Sequence, residues 1–261
     1  MVNEFSKHIN TDHIRFKYAK GMRDIIGNEF HSYHEIFFFI AGNAEFISET
    51  CTERLVPFTV VIIPKETFHC FVVHGEEKEY CRCVLNFDDV PQLDELIESK
   101  MVKIALSKNE KLYELFMQLK DLPELDCSKL EKSVLLHSLF AQILVYIQTQ
   151  SEQKLTSDIH AVTRQAIECI DRNIDGALSA HELASQLHVS SSYLAHIFKK
   201  DLHISIHKYI LEKRLVLAHK MIKKCESPMT VAMECGFSDY SGFYRQYKKM
   251  FGVAPSKHKS K

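Results

Sequence analysis

Arg245 and Lys248 lie three residues apart in the run Tyr240-Ser241-Gly242-Phe243-Tyr244-Arg245-Gln246-Tyr247-Lys248-Lys249. A guanidinium can donate two parallel hydrogen bonds to O6 and N7 of guanine, whereas a lysine ammonium pairs with phosphate as a point charge. The run Ser191-Ser192-Tyr193-Leu194-Ala195-His196-Ile197-Phe198-Lys199-Lys200 has the same outline 49 positions earlier, with His196 in place of Arg245. Leu194, Ile197 and Phe198 share one helical face, as do Phe243 and Tyr247. The remaining faces give the candidate DNA contacts: Ser191, Ser192, Ala195, His196 and Lys199 in one run, Tyr240, Ser241, Tyr244, Arg245 and Lys248 in the other. Arg245 should read a base sharply and His196 permissively, by a single-point contact. Lys199 and Lys248, near the helix ends, suit phosphates, which add affinity without sequence information.

Each run needs an element to present it, and each has one upstream. Leu183-Ala184-Ser185-Gln186-Leu187-His188-Val189-Ser190 precedes the first, and Val231-Ala232-Met233-Glu234-Cys235-Gly236-Phe237-Ser238 the second. A short helix, a tight turn and a second helix form a helix-turn-helix unit, whose second helix enters the DNA major groove. Gly236 falls where the chain reverses, a conformation cheap only for glycine; His188 fills that slot less comfortably. Ser190 and Ser238 are N-cap types. Ser190 to Ser238 is 48 positions and Phe198 to Tyr247 is 49, so the second turn is one residue longer. Ser205 to Lys224 has helical spacing without Gly or Pro, giving a rod of roughly 30 Å. Recognition helices on successive major-groove faces sit about 34 Å apart. Two hairpins packed as an ordinary helical bundle are the alternative.

The stretch Leu178 to His258 resembles the DNA-binding domain of the AraC/XylS family of bacterial transcription regulators. Leu183-Ala184, Ser190 to Lys200, Tyr209-Ile210, Arg214-Leu215, Ala218 and Val231-Ala232 carry the resemblance. So do Gly236-Phe237-Ser238-Asp239, Phe243, Arg245, Lys248-Lys249, Phe251-Gly252 and Pro255-Ser256. His203 departs from the family's Gly, Pro228 from Ile, Tyr247 from Phe and Gly242 from Tyr. The resemblance implies a transcription regulator that binds double-stranded DNA, works with RNA polymerase, and assembles as a homodimer.

The charge is divided accordingly. From His160 onward there are 16 Lys and Arg against 9 Asp and Glu, and before it 17 against 25. A basic C-terminal part is the footprint of a phosphate-binding module. The eight cysteines form no CxxC pair and no zinc spacing, which points to reduced thiols. No signal sequence and no apolar run of membrane-spanning length is read, so the expected location is cytoplasmic, away from membranes.

Residues 1–90 read as β-structure. Ile36 to Ile40 and Thr59 to Ile63 are apolar runs punctuated by Gly42 and Pro64, and Phe68 to Val73 and Tyr80 to Phe87 continue the series. Such spacing suggests a barrel or jelly roll. The order His31, His34-Glu35, Gly42, Pro57, Ile63-Pro64, His69 resembles the cupin-type sensing barrel that AraC-family regulators often carry. In this second resemblance Phe58-Thr59 stands where Gly-Asp is common. His31, His34, Glu35 and His69 are therefore the candidate effector-binding residues, for a small molecule such as a sugar. Metal-dependent cupins use a His-x-His pair. Residues three apart on a strand face opposite ways, so His31 and His34 do not share one, and neither metal nor cofactor is expected.

The expected fold is α+β in two domains. A cupin-like barrel spans 1–90, a helical segment with a possible dimer surface 91–150, a polar linker 151–159, and the tandem helix-turn-helix domain 160–261. The expected function is a DNA-binding regulator, an activator responding to a small molecule, and not an enzyme. The rival readings are an effector-independent regulator and a metal-dependent cupin enzyme fused to a DNA reader.

Overall fold

The computed structural model describes residues 5–21, 29–74, 79–88, 102–105, 110–149, 153–154, 159–176, 178–224 and 227–257. It is a mixed α+β chain of two compact units. The first comprises Met1–Gly27, Tyr33–Ile47 and Cys51–Ser157; the second comprises Asn28–Ser32, Ser48–Thr50 and Asp158–Lys261.

The first unit contains strands β1 (Phe5–Asn10), β2 (Ile14–Lys20), β3 (His34–Ala41), β4 (Ala44–Ser48) and β5 (Thr52–Leu55). They are followed by β6 (Thr59–Ile63), β7 (His69–Val73), β8 (Cys81–Phe87), β9 (Val102–Ala105) and β10 (Gln153–Lys154). One sheet has the order β1-β2-β8-β3-β6-β9-β10, the other β5-β4-β7. Helices α1 (Lys111–Asp121) and α2 (Lys129–Thr149) complete the unit.

The continuous apolar run in β3 follows from burial on both faces. Ile36 and Phe38 point to α1 and α2, where they join Leu85, Phe87, Leu115, Phe116, Phe140 and Ile143. Phe37 and Phe39 point the other way, into a core shared with Phe46, Val61, Ile63, Phe71 and Tyr80. Phe37 stacks on Phe71 at 3.9 Å and Phe38 on Phe116 at 4.6 Å, so one strand links both layers. A register shift between Phe39 and Ala41 ends the regular pairing of β3 with β8. The chain then turns through Gly42, whose φ is 110°.

Three features differ from the sequence reading. Segment 91–150 is not wholly helical, because Val102–Ala105 forms a strand antiparallel to β6. Within the expected linker, Gln153–Lys154 pairs with β9; residues 151, 152 and 155–158 lie outside the described residues. The helical stretch Lys129–Gln148 is long and apolar enough to cross a membrane by length and composition, contrary to the expectation. Its Leu136, Leu139, Phe140, Ile143, Leu144 and Ile147 are buried in the sheet–helix core.

The second unit contains α3 (Ala161–Arg172), α4 (Ala180–Gln186), α5 (Ser191–Leu202), α6 (Ile206–Lys223), α7 (Pro228–Glu234) and α8 (Tyr240–Phe251). Caps fix most of the helix starts. Ser179 forms a reciprocal capping box with Glu182, and Ser205 accepts a hydrogen bond from the Lys208 amide. Pro228 takes the first turn of α7, where its missing N–H is not needed. The α7–α8 pair packs on α6 through Leu215, Ala218, Ile222, Val231, Ala232, Cys235, Phe243 and Tyr247.

Gly42 offers a test of the strand arrangement. A Cβ there would sit 2.9 Å from the Tyr80 Cα, in a backbone conformation that L residues rarely adopt. Gly42→Ala is expected to destabilise the first unit by about 2–4 kcal/mol, since neither strain nor backbone overlap can relax by rotating a side chain. Chemical denaturation of the full chain checks this.

Candidate nucleic-acid interface

The two helix-turn-helix units are α4–α5 and α7–α8, and their registers show where the extra residue lies. Helices α4 and α7 begin at Ala180 and Pro228, 48 positions apart, whereas α5 and α8 begin at Ser191 and Tyr240, 49 apart. The turn residues His188 and Gly236 both have positive φ, 54° and 77°. Both turns close alike: Val189 N–H donates to Ala184 C=O at 3.0 Å, and Phe237 N–H to Ala232 C=O at 3.0 Å. The insertion therefore falls after this closure and before the next cap. That corrects the assignment of Ser238. Asp239 caps α8, its Oδ1 accepting from Gly242 N–H at 2.6 Å, while Ser190 caps α5 as expected.

Gly242 has its own reason. A Cβ at this position would lie 2.9 Å from Asp239 Oδ2, against the capping carboxylate. Both recognition helices end on left-handed residues, His203 at φ 55° and Gly252 at φ 74°. Histidine thus occupies two of the four left-handed positions in this duplicated motif.

The buried face of α5 is Leu194, Ile197, Phe198 and Leu202, and that of α8 is Phe243 and Tyr247. Ser191, Ser192, Ala195, His196 and Lys199 are all exposed on α5. On α8, Ser241, Tyr244, Arg245 and Lys248 are exposed. At 100° per residue, His196 and Arg245 lie nearly opposite their buried faces, with Ser192 and Ser241 one turn earlier. Tyr240 differs: it is half-buried, packed against the Phe243 ring at 5.8 Å. Lys200 and Lys249 are exposed equivalents that the sequence reading left out, although helical periodicity alone places them beside Lys199 and Lys248.

Arg214 on α6 holds this unit's frame. Its Nε donates to Ile174 C=O at 2.9 Å, Nη1 to Gly236 C=O at 2.9 Å and Nη2 to Gly176 C=O at 2.6 Å. A Cβ on Gly236 would lie 2.8 Å from the guanidinium carbon, so glycine answers both the backbone angle and the arginine. His219 Nδ1 and the Tyr247 hydroxyl are 2.7 Å apart in the core. That gives the departure from phenylalanine at Tyr247 a partner.

Among the effector candidates, His34 faces a different layer from Glu35 and His69. Glu35 and His69 both belong to the first unit and are buried, with His69 Nε2 3.8 Å from Glu35 Oε1. His69 sits beside Phe46 and Phe71, at 6.2 and 5.8 Å between ring centroids. His34, which opens β3, stacks on Phe87 at 5.3 Å and accepts a hydrogen bond from Lys65 N–H on Nδ1. It therefore lies in the sheet–helix layer, away from the face that carries Glu35. His31 is buried, precedes β3, and belongs to the short 28–32 stretch of the second unit. Two cavities of the first unit, of about 650 and 590 Å³, are lined by other residues, among them His8, Lys129 and Lys132 in one and Met117, Leu122 and Leu139 in the other.

This geometry defines a tandem helix-turn-helix module with two outward-facing recognition helices. Residues 183–261 match the family described as "Helix-turn-helix domain". The chain is 32% identical over 90 residues to "Probable transcriptional regulator LumQ" of Photobacterium leiognathi, covering 34% of this chain and 36% of that protein. It is 27% identical over 169 residues to "HTH-type transcriptional activator RhaR" of Mannheimia succiniciproducens, covering 63% and 59%. Among solved structures, that of ToxT from Vibrio cholerae O395 is 14% identical with a TM-score of 0.41, covering 98% of this chain and 96% of that one. The chain thus spans less than two thirds of either curated relative's length. The C-terminal segment is a helix-turn-helix domain of that family.

The left-handed histidines are the weak points of the module. His188→Gly and His203→Gly are each expected to raise stability by about 1 kcal/mol, the penalty an L residue bears in this conformation. Thermal melting of each variant and of the pair, where the gains should add, checks this.

Proposed function

We propose that the chain is a sequence-specific DNA-binding transcription regulator of the AraC type, an activator controlled by a small molecule. The carrying observation is the pair of exposed helix faces, equivalent at an offset of 49 residues, with Arg245 on one and His196 on the other. Each has a capped start, a buried stripe behind it and two lysines in its last turn. Such a face suits base edges at its centre and phosphates at its rim. The relative named as a transcriptional activator supports the sign of regulation. In this reading the partners are duplex DNA and RNA polymerase, the setting is the cytoplasm, and no catalytic step, metal or cofactor is needed. The buried Glu35–His69 pair offers hydroxyl-bonding groups to a polar effector such as a sugar.

Arg245→Ala is expected to weaken the preferred duplex by roughly 1–3 kcal/mol and to relax discrimination at one or two base pairs. Lys248→Ala should weaken matched and scrambled duplexes alike, and reduce the slope of log affinity against log salt by about one. Titrations of both variants over a salt series decide. Equal loss on both duplexes for Arg245→Ala would reassign that residue to phosphate.

The dimer expectation has a surface. On α2, Leu130, Val134 and Val145 are 75%, 60% and 61% exposed, and Leu135 is 40% exposed. They lie mainly along one side of the helix, opposite its buried stripe, and suit a second copy of this helix. Val134→Glu is expected to shift the chain from dimer to monomer in sedimentation analysis while leaving its melting profile intact.

A further inference from the structure

The second unit contains a three-residue piece drawn from the N-terminal half. Ser48–Thr50 belongs to it, while Ile47 and Cys51 on either side belong to the first unit. Glu49, the middle residue, reaches α6. Its Oε1 accepts a hydrogen bond from the Tyr209 hydroxyl at 2.6 Å and lies 3.2 Å from Lys213 Nζ. Lys213 also pairs with Asp171 in the last turn of α3. The Glu49 and Lys213 side chains are only 16% and 14% exposed. Burial pushes the Glu49 carboxyl up, while Lys213 and the Tyr209 hydroxyl hold it down.

The body of Tyr209 is fully buried and meets Phe198 edge-on at 5.2 Å, with Phe30 on it at 5.6 Å. Phe198 is a buried anchor of α5, the first recognition helix. Glu49 therefore fixes the hydroxyl end of a ring whose body seats α5.

We propose that Glu49 is a positioning residue for DNA recognition by the first helix-turn-helix unit, acting through Tyr209 on the seat of α5. This rests on the DNA-binding reading above. A phenol-to-carboxylate hydrogen bond is short and charge-assisted, so it holds the ring against swinging. A reading helix needs its side chains held within roughly half an ångström, and α5 gains that from the ring behind Phe198. The second recognition helix sits on a different core, formed with Leu215, Ala218 and Ile222. The effect should therefore be confined to one half of the DNA site.

The test uses the full chain and a duplex selected by the wild-type protein from a random pool, with versions scrambled in either half. Sensitivity to Arg245→Ala identifies the half read by α8. Glu49→Ala and the nearly isosteric Tyr209→Phe are each expected to weaken the selected duplex about three- to tenfold, the scale of one ordinary hydrogen bond. The loss should vanish when the α5 half is scrambled, and the double variant should be no weaker than either single one. Glu49→Gln keeps an acceptor for Tyr209 and should stay within about twofold of wild type. Unchanged affinity in both Glu49→Ala and Tyr209→Phe, a loss shared by both halves, or an equal loss in Glu49→Gln would overturn the proposal. Failure of the wild-type chain to select any duplex would instead overturn the DNA-binding reading.

Discussion

The helix-turn-helix unit depends on one guanidinium. Arg214 donates to three backbone carbonyls, two in the loop after α3 and one at the turn of the second helix-turn-helix unit. Those carbonyls belong to two separate segments, which the one side chain ties together. Lysine cannot replace it, because an ammonium lacks the planar fork that reaches three acceptors at fixed angles. The demand then spreads outward. Gly236 must be glycine because a Cβ would meet the guanidinium carbon, and the turn it makes sets the direction in which α8 leaves.

Much of this was legible in the sequence because duplication acts as an internal control. A slot filled by Gly in one copy and by His in the other identifies a left-handed position without coordinates, as the φ angles of His188 and Gly236 bear out. The extra residue in the second turn was legible too. Its placement was not, because Ser238 and Asp239 are both good caps and only the geometry shows which carboxylate or hydroxyl meets the Gly242 amide. Tyr240 was misread for a related reason: one position past a cap, periodicity gives the angle of a side chain but not how far the core extends toward it.

The first unit was legible in its apolar runs and less so in its polar groups. Alternation along β3 separates Ile36 and Phe38 from Phe37 and Phe39, but both sets are apolar, so the sequence pattern does not show which layer each faces. The same parity separates Glu35 from His34, adjacent residues that serve different layers. Strand β9 was hidden because a four-residue strand leaves too short a pattern, and its pairing partner β6 lies some 40 residues earlier. Phe58 shows another limit. It takes φ 68°, where glycine is cheap, yet its ring packs edge-on against Tyr113 at 5.2 Å. Only the structure shows what offsets the strain.

Departures from a family pattern carry information when they come in pairs. Tyr247 in place of phenylalanine would bury a hydroxyl without reason, were it not for His219 Nδ1 at 2.7 Å. His219 is also stacked on Phe251 at 4.4 Å, so the imidazole bridges α6 to the end of α8 by polar and apolar contact at once. The phenol is buried, which pushes its ionisation upward and keeps it a neutral hydrogen-bonding group at any ordinary pH. The second recognition helix is thus anchored twice to α6, through Arg214 at its turn and through His219 near its end. The first is anchored differently: Asp201 Oδ2 accepts from Thr163 Oγ1 at 2.6 Å and from His160 N–H at 3.0 Å, and its buried aromatic, Phe198, leans on Tyr209. On the proposed reading, both reading helices are therefore held by polar and apolar contacts together, the first to α3 and α6 and the second to α6. A bidentate contact is useful only if its fork arrives at a fixed angle, and the two anchors on α6 serve that end for Arg245.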